Sequence, residues 1–296
     1  MSNNEIYLIC ITLFAAIING GLGYGFSSIT VPLALLFLSN RVLNPALVPV
    51  EVVLNAYILF VNREAIRSVW RRVSLIVVGL IPGVILGTFV LSLVTQPWLK
   101  LWTYFVLLPL ILTQAAGYRR PLRSERSIGL PFGAGLGVLY SVTTVSGPPL
   151  ALLLNNQGLA KREFRAALGV IRLAESTFTA IAYYHAGLFT TTSLHLIPRI
   201  LPSVLIGVPI GAQLIGPMGA ETFRRLCMSF DAWIVAFGAS SALRELKVVE
   251  GSKAFLLLAA VVLIDAWLLY RFFSKSTAQA TVICPPSTAP ETPEGG

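Results

Sequence analysis

The chain has little charge. Acidic and basic residues fill 12% of its 296 positions, about half the share of roughly 25% found in soluble domains. This scarcity excludes a water-soluble globular protein. Histidine occurs only as His185 and His195, at the two ends of one loop, and cysteine only as Cys10, Cys227 and Cys284. Those cysteines are far apart and lack metal or redox spacing; Cys10 and Cys227 read as small apolar residues and Cys284 as an incidental tail thiol. There is no metal-ligand cluster, no nucleophile–base pair and no phosphate-binding loop. No catalytic residue, metal or cofactor is therefore expected, and the protein does not read as an enzyme. The N-terminus lacks a basic n-region and a small-residue cleavage site, so Ile6 onward is expected to be a retained membrane segment and the mature protein to start where the sequence starts.

Apolar residues are plentiful at 55% of the chain, and runs of about 20 of them recur along most of its length, as bilayer-crossing helices require. No block of domain size is left for a separate catalytic domain. The net charge of +9 comes from 22 basic residues held almost entirely in short loops between apolar runs. Such placement encodes membrane topology and calls for the lipid bilayer, not a nucleic acid, as partner.

Two of the apolar segments are interrupted. The first, Ile6 to Ser39, is broken at Gly20-Gly21-Leu22-Gly23-Tyr24-Gly25-Phe26-Ser27-Ser28 and resumes at Pro32-Leu33-Ala34-Leu35-Leu36. The second, Ile128 to Asn155, is broken at Tyr140 to Pro148 and resumes at Pro149-Leu150-Ala151-Leu152-Leu153, the same five residues 117 positions later. A second match supports the repeat: Pro82 to Gly87 and Pro202 to Gly207 both read Pro-x-Val-x-x-Gly in the third element of each half. A segment duplicated together with its interruption is the signature of a two-repeat transporter whose site lies at the breaks. The expected division is residues 6–117 and 130–243 for the repeats, 118–129 for a cytoplasmic linker, 254–273 for an additional transmembrane helix and 274–296 for a disordered tail.

The 34 residues of the first broken segment would make a straight helix roughly 51 Å long, well beyond a hydrocarbon core of about 30 Å. If both broken segments crossed once, the loops would carry 12 basic residues on one side and 9 on the other; if both double back, the split is 15 against 6. The positive-inside rule favours the second arrangement. It leaves three crossings per repeat, an odd number, so the halves are inverted. The expected fold is an all-α integral membrane protein of two inverted repeats, each a broken, re-entrant helical hairpin plus three transmembrane helices, with one extra C-terminal transmembrane helix. The N-terminus is then extracytoplasmic, the C-terminal tail cytoplasmic, and the location the plasma (inner) membrane.

At each break the helix is expected to restart just before Pro32 or Pro149, where proline is tolerated because the first helical N–H has no partner anyway. Half-helix N-termini inside a membrane favour an anion. Gly23, Gly25, Ser27, Ser28 and Thr30 in the first break, and Thr143, Thr144, Ser146 and Gly147 in the second, are the matching donors and small residues. Arg172, Ser176, Thr179 and Tyr183 follow at i, i+4, i+7 and i+11, with Glu175 alongside; Glu51, Asn55 and Asn62 form a thinner stripe in the first half, where Ile58 occupies the i+7 place. Charges at membrane depth are expensive, so Glu51, Arg172 and Glu175 must face the protein interior or a watery cavity. Arg172 suits an oxyanion, and Glu51 or Glu175 a coupling proton. The bland readings stay open: kinks in packed helices, and a structural ion pair of Arg172 with Glu175 on the adjacent turn or with Glu51 across the halves. Asp231 and Asp265 are secondary, with Asp265 expected to pair within the bundle. Gly83, Gly87, Gly207 and Gly211 could serve internal packing or a homodimer.

With these features in view, the sequence resembles the sulfite exporter TauE/SafE family of membrane permeases over about residues 8 to 243. The resemblance rests on Gly21-Leu22-Gly23-Tyr24-Gly25 through Pro32, on Ser146-Gly147-Pro148-Pro149, and on the paired Pro82-to-Gly87 and Pro202-to-Gly207 motifs. It implies secondary transport, commonly export, of a small sulfur-containing anion such as sulfite or an organosulfonate, bound where the broken elements meet. Glu51 and Arg172 lie outside the common family pattern and would mark a larger or differently charged substrate. The competing expectation is a non-transporting membrane scaffold that keeps the repeat as a frame. A polar, water-accessible cavity joining Ser27, Thr144, Asn55 and Arg172 would favour transport, and tight apolar packing there the scaffold.

Overall fold

The computed structural model describes residues 3–23, 25–116, 125–155, 161–214, 220–249 and 251–283, all of them helical or connecting, with no strand among the described residues. In chain order the helices are α1 (Asn3–Leu22), α2 (Phe26–Ala34), α3 (Asn40–Val61), α4 (Ile66–Leu93), α5 (Gln96–Ala115), α6 (Glu125–Thr143), α7 (Gly147–Asn155), α8 (Lys161–His185), α9 (Thr191–Leu214), α10 (Ala220–Glu245) and α11 (Leu256–Ile283). Short 3-10 turns at Arg63–Ala65 and Gly251–Phe255 lead into α4 and α11. Five stretches among the described residues are long and apolar enough to cross a membrane: Asn4–Gly21, Asn40–Val61, Arg63–Leu93, Thr191–Leu214 and Gly251–Arg271.

Both sequence interruptions are real helix breaks, but their arms are unequal. At 20 residues, α1 is long enough for a span, whereas α2 and α7 have nine residues each. Gly23 and Gly25 take φ of +84° and +108°, left-handed values that an L side chain resists, which is why glycine stands there. The second break meets the same demand with Thr144 at φ +56°. Its neighbour Thr143 braces the turn by accepting the Val145 N–H at 3.1 Å. The position expected for Pro32 needs correction: α2 starts at Phe26, so Pro32 lies inside the helix, at the loss of the hydrogen bond its missing N–H would have made to the residue four earlier. Pro149 does fall in the first turn of α7.

Helix pairing is set by glycine. α4 packs along α6, α1 along α9, α3 against α8 and α5 against α10. Gly79, Gly83 and Gly87 of α4 face Gly129, Gly133 and Gly137 of α6, each set spaced by four. A Cβ on Gly83 would strike the Ala134 carbonyl, and one on Gly137 would sit 2.6 Å from the Leu80 carbonyl. In the same manner Gly207 and Gly211 press on Ala16 and Ile17, and Gly20 on the backbone of Val208. Lipid tails supply no hydrophobic drive between helices, so such close backbone approach carries the packing. The four glycines left open between internal packing and a dimer are thus engaged inside the chain, and no dimer reading rests on them.

Polar contacts fix which helix ends are neighbours. Arg162 meets Glu64 at 3.5 Å on the surface, so the starts of α8 and α4 share one end of the bundle. At the other end Arg41, near the start of α3, donates to the carbonyls of Leu91 (3.2 Å), Ser92 (2.6 Å) and Val94 (3.1 Å). A cation there closes the last, partnerless carbonyls of α4. On α11 the buried Asp265 accepts from Ser229 Oγ (3.0 Å) and Trp233 Nε1 (3.1 Å) of α10, so it pairs within the bundle as expected. Asp265→Ala leaves both donors of α10 without their acceptor. It is expected to cost about 1–3 kcal/mol, read as a lower unfolding temperature of the detergent-solubilised protein; an unchanged temperature would show that the contact contributes nothing.

α11 stays helical to Ile283, ten residues past its expected end, because no proline before Pro285 interrupts a helix already nucleated by the span. The rest of the expected tail, 284–296, and most of the expected linker, 117–124, lie outside the described residues.

Candidate functional site

The starts of the two half-helices meet the polar faces of α3 and α8. Glu51 of α3 is fully buried, and its carboxylate accepts from the Ser27 hydroxyl at the start of α2 and from Tyr140 OH of α6 at 2.6 Å. Arg172 of α8, 2% exposed, brings Nη2 to 3.6 Å from Glu51 Oε1 and 3.5 Å from Ser27 Oγ. Glu175, also fully buried, accepts from Ser146 Oγ at 2.6 Å, just before α7. Each half-helix thus opens on a serine that donates to a glutamate of the following helix. The two glutamates are not repeat equivalents: at the offset of 117, Glu175 corresponds to Ile58.

Asn55 and Arg172, which are equivalent at that offset, touch each other, with Asn55 Nδ2 donating to the Arg172 carbonyl at 3.3 Å. α3 and α8 therefore cross at matching positions of the two halves. The pairing question left open by the sequence is answered across the halves: Arg172 pairs with Glu51, and no ion pair with Glu175 is found despite its place one turn away.

Several polar atoms in this centre have no partner. Arg172 Nε and Nη1, Glu175 Oε1, Asn55 Oδ1 and Thr179 Oγ1 are buried without hydrogen bonds. Buried polar groups of this kind are rare and call for an explanation. Burial extends over the whole centre, with Thr144, Ser146, Ser176 and Thr179 all at 0% exposure. The site is polar throughout and closed to solvent in this conformation, which matches neither of the two outcomes set out from the sequence.

Not every expected residue faces the centre. Gly23 and Gly25 shape the first break, and Gly147 is the first residue of α7. The hydroxyls of Thr143 and Thr144 bond to the carbonyls of Leu139 (2.7 Å) and Thr143 (2.7 Å), so they brace the turn. Ser176 Oγ bonds back to the Arg172 carbonyl at 2.8 Å. Ser28 and Thr30 are buried in α2. Asn62 bonds back to Ile58 of its own helix at 2.8 Å. Tyr24 lies outside the described residues.

Three residues were missed. Tyr140 was legible only as a phenol at the edge of a break facing a carboxylate that sequence could not place there. Asn44 donates to the Val142 carbonyl at 2.6 Å and ties α3 to the second break. Arg165, counted from sequence only as a loop charge, donates to the Gly21 carbonyl at 3.0 Å and lies over Gly23. It caps the negative end of α1.

These features define a multi-pass helical membrane protein whose buried charged centre sits at two helix interruptions. The chain belongs to the sulfite exporter TauE/SafE family, a family of membrane exporters, whose pattern matches residues 8–237. It is 28% identical over 176 residues to the probable sulfite/organosulfonate exporter TauE of Cupriavidus necator, covering 58% of this chain and 67% of that protein. No solved structure matches it.

Proposed function

We propose that the protein is a secondary transporter, working as an exporter in the plasma (inner) membrane, for a small sulfur-containing anion such as sulfite or an organosulfonate. The anion binds where the two broken helices meet near the bilayer midplane. The observation that carries this reading is the guanidinium of Arg172, whose Nε and Nη1 are buried and unpartnered and whose Nη2 lies 3.5 Å from Ser27 Oγ in the first turn of α2. A permanent cation with spare donors next to the N-terminus of a half-helix is an oxyanion site. Gly23, Gly25, Ser27, Ser28, Asn55, Thr143, Thr144, Ser146, Gly147 and Ser176 form or shape its walls, and Glu51 and Glu175 are the groups that would carry a coupling proton.

The inverted arrangement belongs to the same reading, and the helix contacts support it. α6 runs alongside α4 from the end marked by Arg162 and Glu64, since Gly129 meets Leu75 and Gly87 meets Ser141. α1 runs parallel to α9, the pair pointing opposite to α4 and α6, and α1 reaches Arg165, near the start of α8, from the other end. The pairs α1 with α9 and α6 with α4 exchange under the repeat, as a two-fold axis in the membrane plane requires. On this topology the loops at 63–72 and 161–165 are cytoplasmic and the C-terminal tail is too.

Flux of labelled sulfite, thiosulfate and sulfoacetate through vesicles containing the purified protein tests the reading. The wild type is expected to move at least one of them and Arg172→Ala none. Equal flux by both proteins would remove Arg172 from the site. The alternative is a non-transporting scaffold, which absence of flux for every anion would support.

A further inference from the structure

The unpartnered atoms of the charged centre are of two kinds, and a simple anion answers only one of them. Nε and Nη1 of Arg172 are donors on a cation; Oε1 of Glu175 and Oδ1 of Asn55 are acceptors, the first on a carboxyl. All four belong to side chains at 0–2% exposure. Arg172 and Glu175 are three residues apart on α8, a spacing that puts their Cβ atoms about 5–6 Å apart on one helix face. They do not pair with each other, because Arg172 is drawn to Glu51 and Ser27, and Glu175 to Ser146. One helix face thus carries unpartnered donors of a cation and, one turn on, an unpartnered carboxyl oxygen.

Charge balance points the same way. The charged and titratable groups gathered here are Glu51 of α3, Arg172 and Glu175 of α8, and Tyr140 of α6, which lies within electrostatic reach of all three. When both carboxyls are ionised, one guanidinium faces two carboxylates, and an added bare anion deepens the negative excess. An added ligand that carries its own cation does not.

We propose, on the reading that Arg172 holds an oxyanion, that the substrate is a small zwitterionic amino sulfonate. Its sulfonate accepts from an unpartnered N–H of Arg172, and its ammonium donates to Oε1 of Glu175 and Oδ1 of Asn55. Glu51 stays on Nη2 of Arg172, held by Ser27 and Tyr140, and leaves the other guanidinium N–H groups for the ligand. Specificity then comes from Glu175: a site built to accept from an ammonium rejects an analogue that leaves its acceptors unpaired. Because the centre is sealed, entry requires the half-helices to part, and the ammonium is what brings Glu175 and Ser146 at the start of α7 back onto the ligand.

The test uses the full-length protein in detergent and in vesicles, with 2-aminoethanesulfonate and ethanesulfonate as a pair differing only in the amine. Binding is read by calorimetry and transport by competition against the labelled anions above. Wild type is expected to bind the amino sulfonate at least about tenfold more tightly, the worth of one charge-assisted hydrogen bond. Glu175→Gln is expected to collapse that ratio toward one, and Glu175→Asp, which keeps the charge should the amide variant fold poorly, to retain most of it. Arg172→Ala loses both ligands. Equal affinity of wild type for the two sulfonates, or a ratio that survives Glu175→Gln, overturns the inference while anion transport stands. If neither sulfonate binds and no labelled anion moves, the transporter reading and the inference fall together.

Discussion

Arg172→Ala is expected to destabilise the folded protein by about 3–5 kcal/mol, because it leaves the Glu51 carboxylate buried without its countercharge. Glu51 is fully buried in the bundle, with Ser27, Tyr140 and Arg172 as its partners. The two hydroxyls remain after the substitution, but a hydroxyl supplies no compensating charge. Removing both charges together, as in Glu51→Gln with Arg172→Met, is expected to recover most of the loss, since the Gln amide accepts from one of the two hydroxyls and donates to the other, and the buried charge disappears. Thermal unfolding in detergent reads the stability, and vesicle flux reads the function. The double variant is the informative one: stability near wild type with no transport shows that the Glu51–Arg172 pair serves transport and not architecture alone. A single Arg172→Ala variant as stable as wild type would show that the pair does not hold the halves together.

Gly83→Leu is expected to have an equally large effect for a steric reason. The Gly83 Cα lies so close to α6 that even a Cβ would collide with the Ala134 carbonyl. Backbone cannot yield as a flexible side chain can, so α4 and α6 must separate. That opens the seam formed by Gly79, Gly83 and Gly87 against Gly129, Gly133 and Gly137. Gly83→Ala is expected to cost about 1–3 kcal/mol as an overpacking change, and Gly83→Leu to prevent recovery of a monodisperse protein. Size-exclusion profiles and unfolding temperatures give the readout. Gly135, on α6 with nothing within 4 Å of its added Cβ, is the control, and Gly135→Ala is expected to be tolerated. If Gly83 and Gly135 respond alike, the seam is not what joins these helices.

The two predictions rest on different parts of the molecule but on one arrangement. The α4–α6 and α1–α9 seams set the depth at which the breaks lie. At that depth the starts of α2 and α7 come to Glu51 and Glu175. Damage to a seam therefore reaches the charged centre without touching any of its residues.

Much was legible along the chain because it is local. Apolar runs, the glycine-rich interruption, its copy 117 residues later and the i, i+4 stripe through Arg172 and Ser176 need nothing beyond residues near in sequence. They determined a membrane protein with two broken helices and a polar centre, and they picked out Glu51, Ser27, Ser146, Arg172 and Glu175. Which of these meet is a matter of distances between helices, and only the tertiary structure decided it. Arg172 pairs with Glu51, 121 positions away in sequence, and not with Glu175 one turn along its own helix. The hydroxyls of Thr143, Thr144 and Ser176, equal to Ser27 and Ser146 as sequence, turn back onto their own backbone. Tyr140 and Arg165 gain their roles only because α6 lies beside α3 and α8 reaches the end of α1. The physical reason is the same in each case: periodicity assigns a side chain to a face of its helix, but its partner depends on how closely two backbones approach, and here glycines far from the site set that approach.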